Sequence, residues 1–225
     1  MDIYEGLLGE TPITASVLTM AELPELEALQ AQVYEALPDK NTLQPLSTEE
    51  FQNILQGNGI MIGMYAEDML IAFRALLDPK EDPEHLGRDC GVEEAQLSRV
   101  MYQEISNVSP DYRGHGLQRL MATIIMDAMD LERFDYVCAT VKPYNIPSLK
   151  DKFGQQLVVK ALKLKYGGKL RYVFFKNLKQ QAPSYTESVW ISMGDTSGQQ
   201  RLLKDGFVGT TLQQKDEDFF VLYEK

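Results

Sequence analysis

Hydrophobic positions along the chain switch between a period of two and steps of three and four. Thr14 to Leu18 has the alternation of a short strand. Thr19-Met20-Ala21-Glu22 follows with capping-box spacing, in which a hydroxyl and a carboxylate three residues on each satisfy one free N–H. The helix so opened carries Leu26, Leu29, Val33 and Leu37 on one face, and Pro38 ends it. Ser47-Thr48-Glu49-Glu50 repeats the box ahead of Phe51, Ile54 and Leu55, and Gly57 supplies the stop. Ile60 to Ala66 and Met69 to Leu77, turned at Glu67-Asp68, predict a hairpin. From Asp78 to Ala95 the rhythm lapses. Pro79, Pro83, Gly87 and Gly91 among many carboxylates predict a long loop with His85 on its surface.

Leu97 to Asn107 is the next strand. After a turn at Ser109-Pro110-Asp111, Arg113-Gly114-His115-Gly116 opens a helix whose buried stripe is Leu117, Leu120, Met121, Ile124, Ala128 and Leu131. Tyr136 to Val141 is a strand, and Asn145-Ile146-Pro147-Ser148 starts a shorter helix with proline in its first turn. Leu157 to Lys165 and Leu170 to Phe175 flank Gly167-Gly168 as a hairpin. The tail adds a strand over Ser188 to Met193, a helix near Gln199 to Lys204 and strands near Phe207 and over Phe219 to Tyr223. Trp190 and the Phe219-Phe220 pair read as tail packing, and no internal repeat is visible. The alternation predicts an α/β fold. Residues 1–180 form the main domain. Residues 181–225 form a C-terminal β-α-β extension, too short for its own core and expected to pack on the main sheet.

The 225 residues carry 22 Lys and Arg against 33 Asp and Glu, a formal net charge of -11. Such a chain is a poor nucleic-acid partner, since phosphates demand a basic patch. No apolar run approaches the ~20 residues that span a bilayer, and Met1 to Glu5 lacks the basic start of a signal peptide. A cytoplasmic location is therefore expected. Cys90 and Cys138 have neither zinc-ligand nor CxxC spacing and are expected as reduced thiols, Cys138 in the core. His85 and His115 are too isolated to suggest a metal site.

The informative segment is Val108-Ser109-Pro110-Asp111-Tyr112-Arg113-Gly114-His115-Gly116-Leu117-Gln118, a strand end, a glycine-rich turn and a helix start. First-turn N–H groups lack helical acceptors, and the helix dipole adds positive charge, so this arrangement cradles an anion such as a diphosphate. Gly114 and Gly116 let the backbone approach closely, and Arg113 adds charge-assisted hydrogen bonds. Neither GxxxxGK[ST] nor GxGxxG is met, because Arg119 stands at the third glycine's place.

These residues resemble the acyl-CoA-binding motif of the GNAT superfamily of N-acetyltransferases, Arg/Gln-x-x-Gly-x-Gly/Ala. Arg113 and Gly116 meet it, and Gln118 departs from its last position. Asn145-Ile146-Pro147-Ser148 is similar to the family's Asn-x-x-Ser/Ala, where the Asn helps to hold the cofactor arm. The order of elements agrees over Thr14 to Leu178 and leaves the tail after Gln180 unexplained.

The resemblance implies a mixed, mostly antiparallel sheet flanked by helices, with acetyl-CoA as acyl donor. It implies direct acetyl transfer to a primary amine in a ternary complex. Val108, Arg113, Gly114, His115, Gly116, Leu117, Gln118, Asn145 and Ser148 would bind the cofactor, backbone groups near Val108 polarising the thioester carbonyl. Glu104, four residues before Val108 and on its face of the strand, is the candidate general base. The family's usual tyrosine acid falls at Lys152, with Tyr144 as a nearby substitute or a packed aromatic. The amine is a small molecule or a peptide, and the acidic loop and net charge lean toward a small cationic one. A homodimer is compatible, since exposed tail strands can extend the sheet or pair between copies. The rival class is a non-catalytic acyl-CoA-binding or scaffold module on the same fold, favoured by Gln118 and the missing tyrosine.

Overall fold

The computed structural model describes residues 2–181 and 183–225. Its backbone divides into two units, one of the residues up to Asp78 with Tyr102–Asp130, the other of Pro79–Met101 with Leu131–Lys225. The fold is α/β in each, with antiparallel strand pairs covered by helices.

In the first unit β1 (Asp2–Leu8), β2 (Thr11–Val17), β3 (Gly59–Ala66), β4 (Met69–Leu77) and β5 (Val100–Val108) follow in chain order across the sheet. The first two residues of β5 fall in the second unit. Both capping boxes form, Thr19 with Glu22 and Ser47 with Glu50. They start the chain into α1 (Leu23–Glu35) and α2 (Thr48–Asn53). Leu26, Leu29 and Val33 of α1 meet Phe51, Met61, Phe73 and Ile105 in one apolar cluster. Phe51 stands edge-on to Phe73 at 5.8 Å between ring centres. The buried Gln30 amide clamps the chain ahead of α2 through both its atoms, to the carbonyl and N–H of Leu46. In α4 (Leu117–Asp127) the buried face is Leu117, Met121, Ala122, Ile124 and Ile125. Ala128 and Leu131, expected on that stripe, lie exposed beyond the helix end.

The second unit orders its strands β6 (Tyr136–Val141), β8 (Lys169–Asn177), β7 (Val158–Lys165), β10 (Val208–Lys215), β11 (Asp218–Glu224) and β9 (Ser188–Ser192). It contains the internal repeat that the sequence hides. β6, α5 (Ile146–Gly154), β7 and β8 recur as β9, α6 (Thr196–Lys204), β10 and β11. Asn145 caps α5 with φ -78 and ψ 73, and Asp195 caps α6 with φ -82 and ψ 72. Left-handed Gln156 and Tyr166 of the first copy match left-handed Gly206 and Asp216 of the second. Val141↔Tyr172 and Ala139↔Phe174 match Ile191↔Val221 and Val189↔Tyr223. The bulge between Val159 and Ala161 recurs between Gly209 and Thr211. The copies meet where Val159 pairs with its own counterpart Gly209, the signature of a local two-fold axis. A Cβ at Gly209 would stand 3.0 Å from that of Val159, so a side chain there would crowd the axis. The tail thus joins the sheet of this unit as a second copy.

The long segment before β5 is pinned. The Lys165 ammonium, with its side chain 4 % exposed, pairs with Asp89 at 3.0 Å and bonds the Glu84 carbonyl. His85, expected on the surface, is buried, and its Nδ1 accepts from the Gly87 N–H at the start of the short α3 (Leu86–Asp89). Cys138 is core as expected, its thiol pushed up by a hydrogen bond to Cys90 and by burial. Trp190 is exposed rather than packed.

Gln199 is the polar hub of the second unit. Its Oε1 accepts from the hydroxyls of Tyr172 at 2.7 Å and Tyr223 at 3.0 Å, one from each copy, and its amide donates to the Met193 carbonyl. Burial raises both phenols above their ordinary range. The folded chain therefore keeps two protons that the unfolded chain releases above about pH 10. Their stabilisation is complete below that pH and falls as pH rises above it. Gln199→Leu, which leaves both hydroxyls without this acceptor, is expected to cost about 3 kcal/mol in urea unfolding. Tyr223→Phe is expected to flatten the fall of stability above about pH 10.

Candidate functional site

β5 carries a bulge where the predicted base stands. The register steps from Ala75↔Ile105 to Leu76↔Gln103, leaving Glu104 opposite no residue of β4. Bulges re-aim side chains, and here Glu104 is exposed between buried Gln103 and Ile105. Ser106 and Val108 are half-buried. The Ser106 hydroxyl oxygen and the Asn107 side-chain nitrogen are buried without a hydrogen-bond partner among the described residues. The sequence flagged neither residue. Buried polar atoms are nearly always partnered, so these two mark the end of β5 as a place with unused polar capacity.

The chain leaves β5 through Ser109, whose N–H donates to the Ile71 carbonyl at 2.8 Å, and makes one 3-10 turn over Pro110–Tyr112. Arg113 is extended and exposed. Gly114 and Gly116 take φ of 81 and 76, and Gly116 is the N-cap of α4 with no side chain to cap it. Nothing lies within 4 Å of where a Cβ would stand at either glycine. The exposed His115 ring keeps Nδ1 3.3 Å from the Tyr112 carbonyl. Leu117 is buried, so it offers only its N–H to the turn. The result is an uncapped helix end with open space before it and Arg113, His115 and Arg119 exposed around it. This donor set fits a diphosphate. Glu104, Val108, Arg113, Gly114, His115, Gly116, Leu117 and Gln118 thus lie on one continuous strand, turn and helix of the first unit.

Arg74 of β4, 1 % exposed, fixes that helix start from beneath. It donates to the Gln118 carbonyl at 3.1 Å and to Gln103 Oε1 at 2.8 Å, joining the first turn of α4 to β4 and β5. A buried arginine between apolar strand neighbours leaves a weak sequence signal, since Phe73-Arg74-Ala75 reads as ordinary alternation.

Asn145 and Ser148 belong to the second unit, at the start of α5, where Asn145 Oδ1 accepts from the Ser148 N–H at 3.4 Å. Tyr144 is exposed and left-handed, and its hydroxyl donates to Asp218 Oδ1 at 3.2 Å. Partial burial and the Asp218 charge raise its phenol. The Ser192 hydroxyl holds Asp218 below the usual carboxylate range, followed by the Phe219 N–H and Tyr144. Lys152 is buried beside Asp151 at 2.9 Å. In the acidic loop Glu84 and Asp89 pair with Lys165, and Glu94 pairs with Arg88. Three of its carboxylates are therefore matched within the chain.

No helix among the described residues is long and apolar enough to cross a membrane. No family model matches the sequence, and no curated protein matches it. Solved structures do. The ribosomal-protein-S5-alanine acetyltransferase of Vibrio fischeri aligns with 81% of this chain and 100% of its own, at 13% identity and a TM-score of 0.57. An acetyltransferase of the GNAT family from Streptococcus pneumoniae aligns with 73% of this chain and 99% of its own, at 13% identity and a TM-score of 0.54. The yncA protein of Salmonella typhimurium, solved with its cofactor acetyl-CoA, aligns with 76% of this chain and 97% of its own, at 13% identity and a TM-score of 0.54. The fold is the one these acetyltransferases share.

Arg74→Met is expected to cost about 3 kcal/mol, because it strands Gln103 and frees the first turn of α4. Urea unfolding measures it, and Arg74→Lys is expected to recover part of the loss.

Proposed function

We propose that this chain is a GNAT-superfamily N-acetyltransferase that uses acetyl-CoA as donor. The observation that carries the proposal is the uncapped start of α4 behind Gly114 and Gly116, on a fold common to acetyltransferases. Arg113, Gly114, His115, Gly116, Leu117 and Gln118 hold the diphosphate, largely through backbone N–H groups. Val108 binds the adjoining part of the cofactor at the end of β5; for Asn145 and Ser148, in the second unit, the Asn-x-x-Ser resemblance alone implies a cofactor role. Bound there, acetyl-CoA supplies an acyl group activated as a thioester.

The acceptor amine is largely protonated near neutrality, its ammonium having a pKa of about 8 on a peptide N-terminus and about 10 on an alkyl chain, and must lose a proton before it attacks. Glu104, carried out of the ladder by its bulge, accepts that proton directly or through water. Backbone donors at the end of β5 stabilise negative charge developing on the carbonyl oxygen. The acceptor is a primary amine on a peptide or a small molecule. The Vibrio fischeri protein, named for a ribosomal-protein alanine, makes peptide amines the first class to assay. The residues up to Gln180 form the catalytic domain, and the remainder is an extension of its sheet. The chain works in the cytoplasm with free thiols.

Acetyl-CoA at about 100 times its dissociation constant is expected to stabilise the protein by about 2.7 kcal/mol, seen as a raised melting temperature. The shift is expected to vanish in Arg113→Ala/Gly116→Asp. Release of CoA thiol with an amine panel then measures turnover, and Glu104→Gln is expected to lower kcat/KM by about 10²- to 10⁴-fold. A melt shift without turnover on any amine would move the non-catalytic binding module ahead. No shift would end both assignments.

A further inference from the structure

β9 closes the strand order, with β11 as its one neighbour among the described residues. Its counterpart in the first copy, β6, carries Ala139, Thr140 and Val141, the first and last of them almost fully buried. At the same places β9 carries the larger Val189, Trp190 and Ile191. Val189 and Trp190 are each 42% exposed. The repeat therefore puts bigger apolar side chains where less of the chain covers them.

The strand reads Ser188-Val189-Trp190-Ile191-Ser192. Laid antiparallel on itself about Trp190, it places Ser188 opposite Ser192, Val189 opposite Ile191 and Trp190 opposite Trp190. Aromatic and β-branched cross-strand pairs stabilise such a ladder. The strand carries no charge and no proline, the usual protections of an edge. The register centred on Trp190 is also the one that pairs the strand over its whole length, from Ser188 to Ser192. In the first unit the strand order ends on β1, which carries Asp2 and Glu5 and has its register broken between Asp2 and Tyr4. That edge is blunted.

We infer that β9 is a self-complementary edge through which two copies of this chain join in an antiparallel pair, on a two-fold axis at Trp190. An isologous contact of this kind closes on itself, so it yields a dimer and not a filament.

Light scattering on the eluting 225-residue chain, over micromolar concentrations, tests the mass. The expected value is twice the 25.5 kDa chain. Trp190→Lys puts two cations opposite each other on an exposed position and is expected to raise the dimer dissociation constant by about tenfold or more. Its folded secondary structure, read by circular dichroism, and its response to acetyl-CoA should stay unchanged, which separates this result from the fate of the proposed activity. Mild oxidation tests the register. Trp190→Cys should cross-link to its own copy, and Ser188→Cys should not. A wild-type protein that stays monomeric overturns the inference. So does a dimer that survives Trp190→Lys, or Ser188→Cys cross-linking in place of Trp190→Cys. Binding of an unrelated extended peptide at β9 to a monomeric chain overturns it as well.

Discussion

A helix must find partners for the N–H groups of its first turn, and α4 is built so that its own chain withholds a capping side chain. Gly116 stands where serine, threonine or aspartate usually caps, and its left-handed backbone turns the chain into the helix without filling the space in front. A soluble anion can supply what the missing cap does not. Elsewhere the chain caps with care. Thr19, Ser47, Asn145 and Asp195 each accept a backbone N–H at a helix start. At α4 no side chain does so, and there the gap coincides with left-handed glycines on both sides of His115.

An open helix end is useful only if it is held still. Arg74 does this from the buried side, tying the Gln118 carbonyl to the sheet. Leu117 and Met121 anchor the same helix through apolar contacts. The first unit thus invests buried polar and apolar groups behind an exposed loop. In the second unit Lys165 and Asp89 pin the segment around α3. A segment whose composition predicts a long loop is fixed by a lysine many residues away.

Local chemistry was legible in the sequence. The two capping boxes, the glycine turn before α4 and the Asn145 cap depend on neighbours within a few residues, and all appear where the spacing puts them. What depends on distant partners was hidden. Glu104 reads in the sequence as a strand carboxylate, but its bulge exists only against β4. β1, with Gly6 among its few residues and acids at Asp2 and Glu5, shows no apolar alternation and is a strand because β2 pairs with it. His85 lies in a polar stretch and is buried by tertiary packing. The repeat escaped because its copies share backbone geometry and almost no side chains. Leu149 of α5 corresponds to Gln199 of α6, and Val159 to Gly209.

That divergence bears on how the second unit folds without error. Two copies with the same bulge, the same left-handed turns and the same register offer each hairpin a second place to dock. Adjacent similar repeats are prone to such swapped pairing. Val159 meets a glycine on the axis, and two copies that both carried valine there would crowd each other. The copy with Gln199 needs both tyrosines, while the copy with Leu149 would leave them stranded. Having drifted apart in side chains, the copies can no longer take each other's seats. The shared backbone carries the architecture, and the lost likeness protects its assembly.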